Sequence, residues 1–182
     1  MNPLSSRLVC SIFLSAAVVA GSVAAEKNPP GDIPDNQVFV KYASAAGGYS
    51  LKVPEGWART EDGADVSFAD KYNSVNVTVT KAADPPTAKN VLVESPLADL
   101  AKSGRAVKVK SVTQKKLPGG PVVLVKYDSD SEPNPVTNKI LRLENEAYVF
   151  FKDGRVAILT VSAPRGADNV DQWKLMSESF AW

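Results

Sequence analysis

The sequence predicts an α+β domain, a mostly antiparallel sheet with helices packed on it. Two observations carry that reading. Short runs of alternating apolar and polar residues, bounded by turn residues, recur along most of the chain. Two other segments repeat apolar residues at spacings of three and four, the mark of a helical face. The order is strands, helix, strands, helix.

Tyr49–Val53 alternates with period two and ends at the turn residues Pro54-Glu55-Gly56. Val66–Phe68 is a short second strand. Val75–Thr80 sets three valines on one face and polar groups on the other, as a half-buried antiparallel strand requires. Asp84-Pro85-Pro86 then breaks the sheet, and Thr87 is placed to cap a helix carrying Val93, Leu97 and Leu100 on one face. Pro96 falls inside that helix, so it either kinks one helix or opens a second segment capped by Ser95, and Gly104 closes it. Further strands are expected at Val107–Val112, Val122–Tyr127, Ile140–Leu143, Ala147–Phe151 and Val156–Ala163. Gly119-Gly120 and Asp153-Gly154 supply hairpin turns. The unbroken apolar runs at Val122–Val125 and Val149–Phe151 point to central strands covered on both faces. The last helix begins after Asp168, with Asp171 in its first turn, and carries Val170, Trp173, Met176 and Phe180 as its apolar stripe.

Residues 1–25 read as a secretory signal peptide. Met1–Arg7 is a short n-region with one positive side chain, Leu8–Ala20 is apolar, and Gly21–Ala25 offers small residues for cleavage. The apolar stretch is shorter than the roughly 20 residues a membrane span wants, so membrane contact is expected only if the leader stays uncleaved. Cys10, the only cysteine, lies near the start of the apolar run, where a lipoprotein would need it at the end. There is no twin-arginine pair, which points to the general export route. The expected destination is the periplasm or the medium. Residues 26–37, with Pro29, Pro30, Gly31 and Pro34, read as a flexible linker, and 38–182 as a single domain.

Composition excludes much chemistry. The chain has no histidine, and its one cysteine leaves with the leader. Ser-His and Cys-His catalysis and the usual zinc sites are therefore closed. Lys and Arg total 21 against 20 Asp and Glu; Arg7 is the one charged residue of the leader, so the remainder is balanced. A neutral domain lacks the basic excess of a nucleic-acid binder. No cofactor is expected.

The strand and turn Gly48-Tyr49-Ser50-Leu51-Lys52-Val53-Pro54-Glu55-Gly56-Trp57 resembles the opening hairpin of PsbP-like proteins. Val66–Lys71 with Asn76–Val79 is similar to their next two strands, and the Asp153-Gly154 hairpin and the end at Ser177–Phe180 fit the same layout. Gly166–Trp173 resembles the start of the C-terminal helix in small exported bacterial proteins of that kind. The resemblance spans most of residues 38–182. It implies an α/β/α sandwich, a central mostly antiparallel sheet flanked by helices, in proteins that serve as photosystem accessory subunits, protein-binding adaptors or lipoproteins. This chain departs by having no histidine and no lipobox, and fold likeness alone does not transmit function.

Candidate contact residues are few. Asp128, Asp130, Glu132 and Asn134 form the densest run of oxygen ligands, which suits a hard cation or polar ligand in principle. An EF-hand would need glycine and glutamate where Pro133 and Lys139 stand, and a plain polar loop between strands is the simpler reading. No metal site is assigned. Trp57 and Tyr72 are the aromatics most open to ligand or partner contact, whereas Trp173 belongs on a core stripe. Lys108, Lys110, Lys115 and Lys116 form a basic patch suited to guarding a sheet edge or meeting an anionic partner. No catalytic residue is assigned, because no nucleophile elbow, Ser-x-x-Lys signature or phosphate loop is present. The expected role is a non-catalytic exported accessory or interaction protein meeting an envelope protein. The rivals are a periplasmic small-ligand binder and a hydrolase using a carboxylate pair or a Ser-Lys dyad.

Overall fold

The computed structural model describes residues 30–93, 97–103 and 105–182. Its strands are β1 (Phe39–Ser44), β2 (Tyr49–Pro54), β3 (Ala58–Asp62), β4 (Asp65–Asp70), β5 (Asn73–Lys81), β6 (Lys108–Leu117), β7 (Gly120–Asp130), β8 (Arg142–Lys152) and β9 (Arg155–Pro164). Among the described residues the α-helix is α1 (Val170–Glu178), and Leu100–Lys102 makes one 3-10 turn. β1 and β2 form a separate hairpin. The other strands form one antiparallel sheet in the order β3-β4-β5-β9-β8-β7-β6.

Both faces of the sheet are buried at its centre, as the apolar runs predict. Val122, Leu124, Tyr148, Phe150, Leu159 and Val161 face the β1–β2 hairpin, α1 and the C-terminal residues. Val123, Val125, Ala147, Val149 and Ile158 face the opposite way, under Val91 and Leu97 of the segment between β5 and β6. The β8–β9 turn is the expected hairpin: Asp153 and Gly154 both adopt positive φ, 51° and 73°, which matches the twist of the flanking strands. Gly119 has a different reason to be glycine. A Cβ there would sit 2.4 Å from the Phe180 carbonyl oxygen, so the β6–β7 turn admits the C-terminal chain only without a side chain.

Several expectations are corrected. The helix expected from Thr87 to Gly104 is not formed in the described part, so among the described residues α1 is the α-helix on the sheet and the second face carries turns and one 3-10 turn. Thr87 caps a single turn with Asn90, and Asn90, Val91 and Val93 close tight turns instead of a helical ladder. Pro85 and Pro86 cannot donate backbone hydrogen bonds, and a few apolar anchors seat on the sheet without a helix. The roles given to Ser95, Pro96 and Gly104 fall outside the described residues. The strands expected at Ile140–Leu143 and Ala147–Phe151 are one: β8 begins at Arg142, leaves Ile140 and Leu141 exposed before it, and runs unbroken through the polar stretch Glu144-Asn145-Glu146. β1 and the fully exposed β3 were not expected at all.

The lead-in expected to be a spacer is seated on the domain from residue 30. Ile33 is buried, and its N–H donates to Asn169 Oδ1 at 2.7 Å, while Asn169 Nδ2 donates to the Gly31 carbonyl at 2.9 Å. Asn169 holds the N-cap position of α1 but spends its side chain on this tie, and Asp168 offers its own N–H to Asp32. Val170, expected on the apolar stripe, is 71% exposed; Gln172, Met176 and Ser177 are the buried residues of α1, with Trp173 partly covered.

Candidate functional site

β7 and β8 lie side by side with Lys126 opposite Glu146, Asp128 opposite Glu144, and Asp130 opposite Arg142. These even-numbered residues share the face that carries Leu124 and Tyr148, beyond the end of the apolar core, so the sheet continues there as a ladder of charges. α1 passes beside it. The result is a groove in two connected parts of about 240 and 230 Å³, sharing Lys126, Glu146, Val170 and Trp173.

The chemistry of the ladder follows from its register. Asp128 and Glu144 are like charges set directly across two strands, an arrangement that is destabilising by itself. Lys110, from the bulged part of β6, resolves it by placing Nζ 2.7 Å from Asp128 Oδ1 and 3.3 Å from Glu144 Oε1. Asp128 is buried and Oδ1 has no other polar partner, so this one ammonium carries its compensation. Its hydrogen bond to Asp128, more than any other influence, holds the Lys110 pKa above the ordinary lysine value. One rung away Glu146 takes an ion pair from Lys126 and a hydrogen bond from the Tyr148 hydroxyl. Burial, then that bond to a carboxylate, push the Tyr148 phenol well above its usual pKa. At the outer rung Arg142 Nη1 lies 3.0 Å from Asp130 Oδ1.

The acidic run read in sequence is thus dispersed. Asp128 goes to Lys110, Asp130 to Arg142 and exposed Glu132 to Arg105 at 3.8 Å. Asn134 Oδ1 accepts from the N–H groups of Val136 and Thr137 and organises the β7–β8 loop. Among the described residues no three carboxylates gather in a metal-holding cluster. Trp57 is partly buried against the core at a second, shallower depression of 330 Å³, beside Tyr42, Arg59 and Phe68. Tyr72 projects from the β4–β5 turn, 48% exposed, at the same end of the sheet, since Ala58 pairs with Ala69. It does not line the Trp57 depression, and neither residue joins the acidic run, which begins on β7 and continues into the β7–β8 loop. The groove residues Lys126, Glu144 and Glu146 were not singled out from sequence. Their signal was the charged alternation Lys126-x-Asp128-x-Asp130 and Arg142-x-Glu144-x-Glu146, whose pairing appears only with the register.

The PsbP family profile matches residues 37–181, the whole of this sheet with its hairpin and helix. The chain belongs to the PsbP family. In fold this PsbP domain is similar to cyanobacterial PsbP (CyanoP) from Synechocystis sp. PCC 6803, with a TM-score of 0.57 and 17% identity over 82% of this chain and 96% of that one. A protein from Bacteroides thetaiotaomicron matches at a TM-score of 0.48 and 11% identity, over 77% of this chain and 47% of that one. LpqN, described as involved in cell envelope biogenesis of Mycobacterium tuberculosis, matches at 0.43 and 14% identity, over 84% and 88%. No curated protein matches the chain in sequence. No described helix is long and apolar enough to cross a membrane.

Proposed function

We propose that this PsbP domain is a non-catalytic accessory protein of the cell envelope, exported by its leader and acting through contact with another protein. The observation that carries this reading is the state of the groove carboxylates. Asp128, Glu144 and Glu146 are each committed to a lysine, and Tyr148 is committed to Glu146. A carboxylate-pair hydrolase needs one free acid and one free base flanking a substrate. A charge-paired ladder beside a partly covered tryptophan is instead a surface of fixed polarity, suited to recognition. Export rests on the leader read in sequence.

Crosslinking in the expressing cell, followed by mass spectrometry, tests the proposal. The expected result is one reproducible envelope protein, joined through lysines of the β6–α1 side and lost when that side is charge-reversed. Turnover of any substrate in a broad hydrolase panel, abolished by Glu146→Gln with the fold intact, would overturn it. The groove also has the volume for a small polar ligand, and such a ligand would raise the melting temperature by mass action without any crosslinked partner.

A further inference from the structure

The two edges of the large sheet are built differently. β3 is five residues long and carries both signs of charge, Arg59 against Glu61 and Asp62, with Arg59 paired to Glu61 at 3.3 Å. β6 is ten residues long, and from Ser111 to Leu117 it keeps one unbroken register with β7, with no proline and no bulge. Among the described residues no strand covers its outer side. An open edge of that length is a template for another strand.

The charges on β6 are all of one sign. Lys108, Lys110, Lys115 and Lys116 are its ionisable residues. Lys110 is used internally by Asp128 and Glu144, whereas Lys108, Lys115 and Lys116 have no acidic partner among the described residues. By the pairing register Lys115 sits opposite Val122 on the α1 face and Lys116 opposite Pro121 on the other, so free ammonium groups flank the edge on both sides. Lysines so placed repel a second copy of the same edge and any basic strand. They do not repel an acidic one.

We propose that the outer edge of β6 is a docking site for an extended acidic segment of a partner protein, which adds to the sheet as an eighth strand beside Ser111–Leu117. This rests on the accessory reading above and names the class of partner it implies. Backbone hydrogen bonds to the edge supply the affinity, and carboxylates on alternate faces of the incoming strand meet Lys115 on one side and Lys116 on the other. The lysines select against self-association and for the acidic ligand with the same charge.

The test uses the full chain and three blocked ten-residue peptides: one repeating Glu-Glu-Val-Val, which sets carboxylates on both faces of a strand, one repeating Lys-Lys-Val-Val, and the acidic peptide with a central proline. Binding is read by titration and its place by amide hydrogen exchange. The acidic peptide is expected to bind and to slow exchange of β6 amides between Ser111 and Leu117. The lysine peptide and the proline peptide are expected not to bind. The double variant Lys115→Glu/Lys116→Glu, both exposed and free of internal ion pairs, is expected to keep its melting temperature and weaken the acidic peptide at least tenfold. Binding without β6 protection, or binding unchanged by the proline, overturns the docking site. If crosslinks in the cell still join a single envelope protein through the α1 groove or the β1–β2 hairpin, the accessory reading survives that loss. The absence of both peptide binding and a crosslinked partner overturns both.

Discussion

The two faces of the large sheet are both buried at the centre and differently covered. On one, the cover is regular and spans the chain. Ser50 and Ala181 exchange backbone hydrogen bonds of 2.7 and 2.8 Å, and Lys52 N–H donates to Ser179 Oγ, so the hairpin near the start is paired with the last residues. Phe180 stacks on Phe150 at 4.1 Å and on Tyr49 at 5.7 Å. On the other face the described part of the cover between β5 and β6 is irregular chain with one 3-10 turn, held by short-range turns and by Val91 and Leu97 as buried anchors. Apolar burial drives both. The first cover pairs the hairpin with the C-terminal residues, whereas the long-range backbone bonds of the second lie at its two ends, Ala82 N–H to the Gly154 carbonyl and Asp130 N–H to the Arg105 carbonyl. The first should therefore unfold with the whole domain while the middle of the second opens by itself.

The largest expected effect comes from the regular side. Phe180→Ala should cost about 3–5 kcal/mol in urea unfolding, because a fully buried ring leaves a cavity between two aromatic neighbours. Leu97→Ala should cost about 2–3 kcal/mol, the lower part of the range for such truncations, because a lid of turns can settle into the space. Native-state hydrogen exchange would sharpen the contrast. Amides of the β5–β6 segment should exchange through a partial opening, and those of β2 and β8 only through global unfolding. Equal protection of both covers would erase the distinction.

Lys110→Ala should cost about 1 kcal/mol at neutral pH, a modest figure because Lys110 is 42% exposed and screened by water. It leaves buried Asp128 without its ammonium and facing Glu144, which keeps only Arg165 at 4.0 Å, so Glu144→Gln added to Lys110→Ala should recover part of the loss. Melting temperatures of the single and double variants would show this, and no recovery in the double variant would count against the bridging role. The smallest effect appears only in alkali. The Tyr49, Tyr127 and Tyr148 phenols are all raised by burial, and Lys110 by its pairing. A group whose pKa is higher folded than unfolded gives stability that is complete below the unfolded value and lost above it. The melting temperature should therefore hold to about pH 10 and then fall, with phenols and lysine near their reference pKa in the unfolded chain. Tyr148→Phe should make that fall shallower.

Much of the sheet was legible because its strands announce themselves locally. Val75–Thr80, Val122–Tyr127 and Val156–Ala163 have the right period or an unbroken apolar run, and each is a strand. β3 was illegible because nothing in it is buried and it has no pattern to show. The Thr87–Gly104 region misled for the opposite reason: apolar spacing of three and four is met by buried anchors on turns as well as by a helix. β8 was split because Glu144-Asn145-Glu146 looks like a loop. Their side chains are tolerated in a strand only because Lys110, Lys126, Tyr148, Ser129 and Ser162 meet them.

The sequence by itself determined the family and most strands of the sheet, and it supplied the expected leader and the missing imidazole and thiol chemistry. Those follow from residue identity and from short-range periodicity, which the chain carries without folding. The tertiary structure decided which charges meet, that the acidic run is divided among Lys110, Arg142 and Arg105, and that β6 is the long open edge. It also decided that Asn169 serves the lead-in and not its helix. Register and strand order set those contacts, and they join residues distant in sequence, which no local pattern encodes.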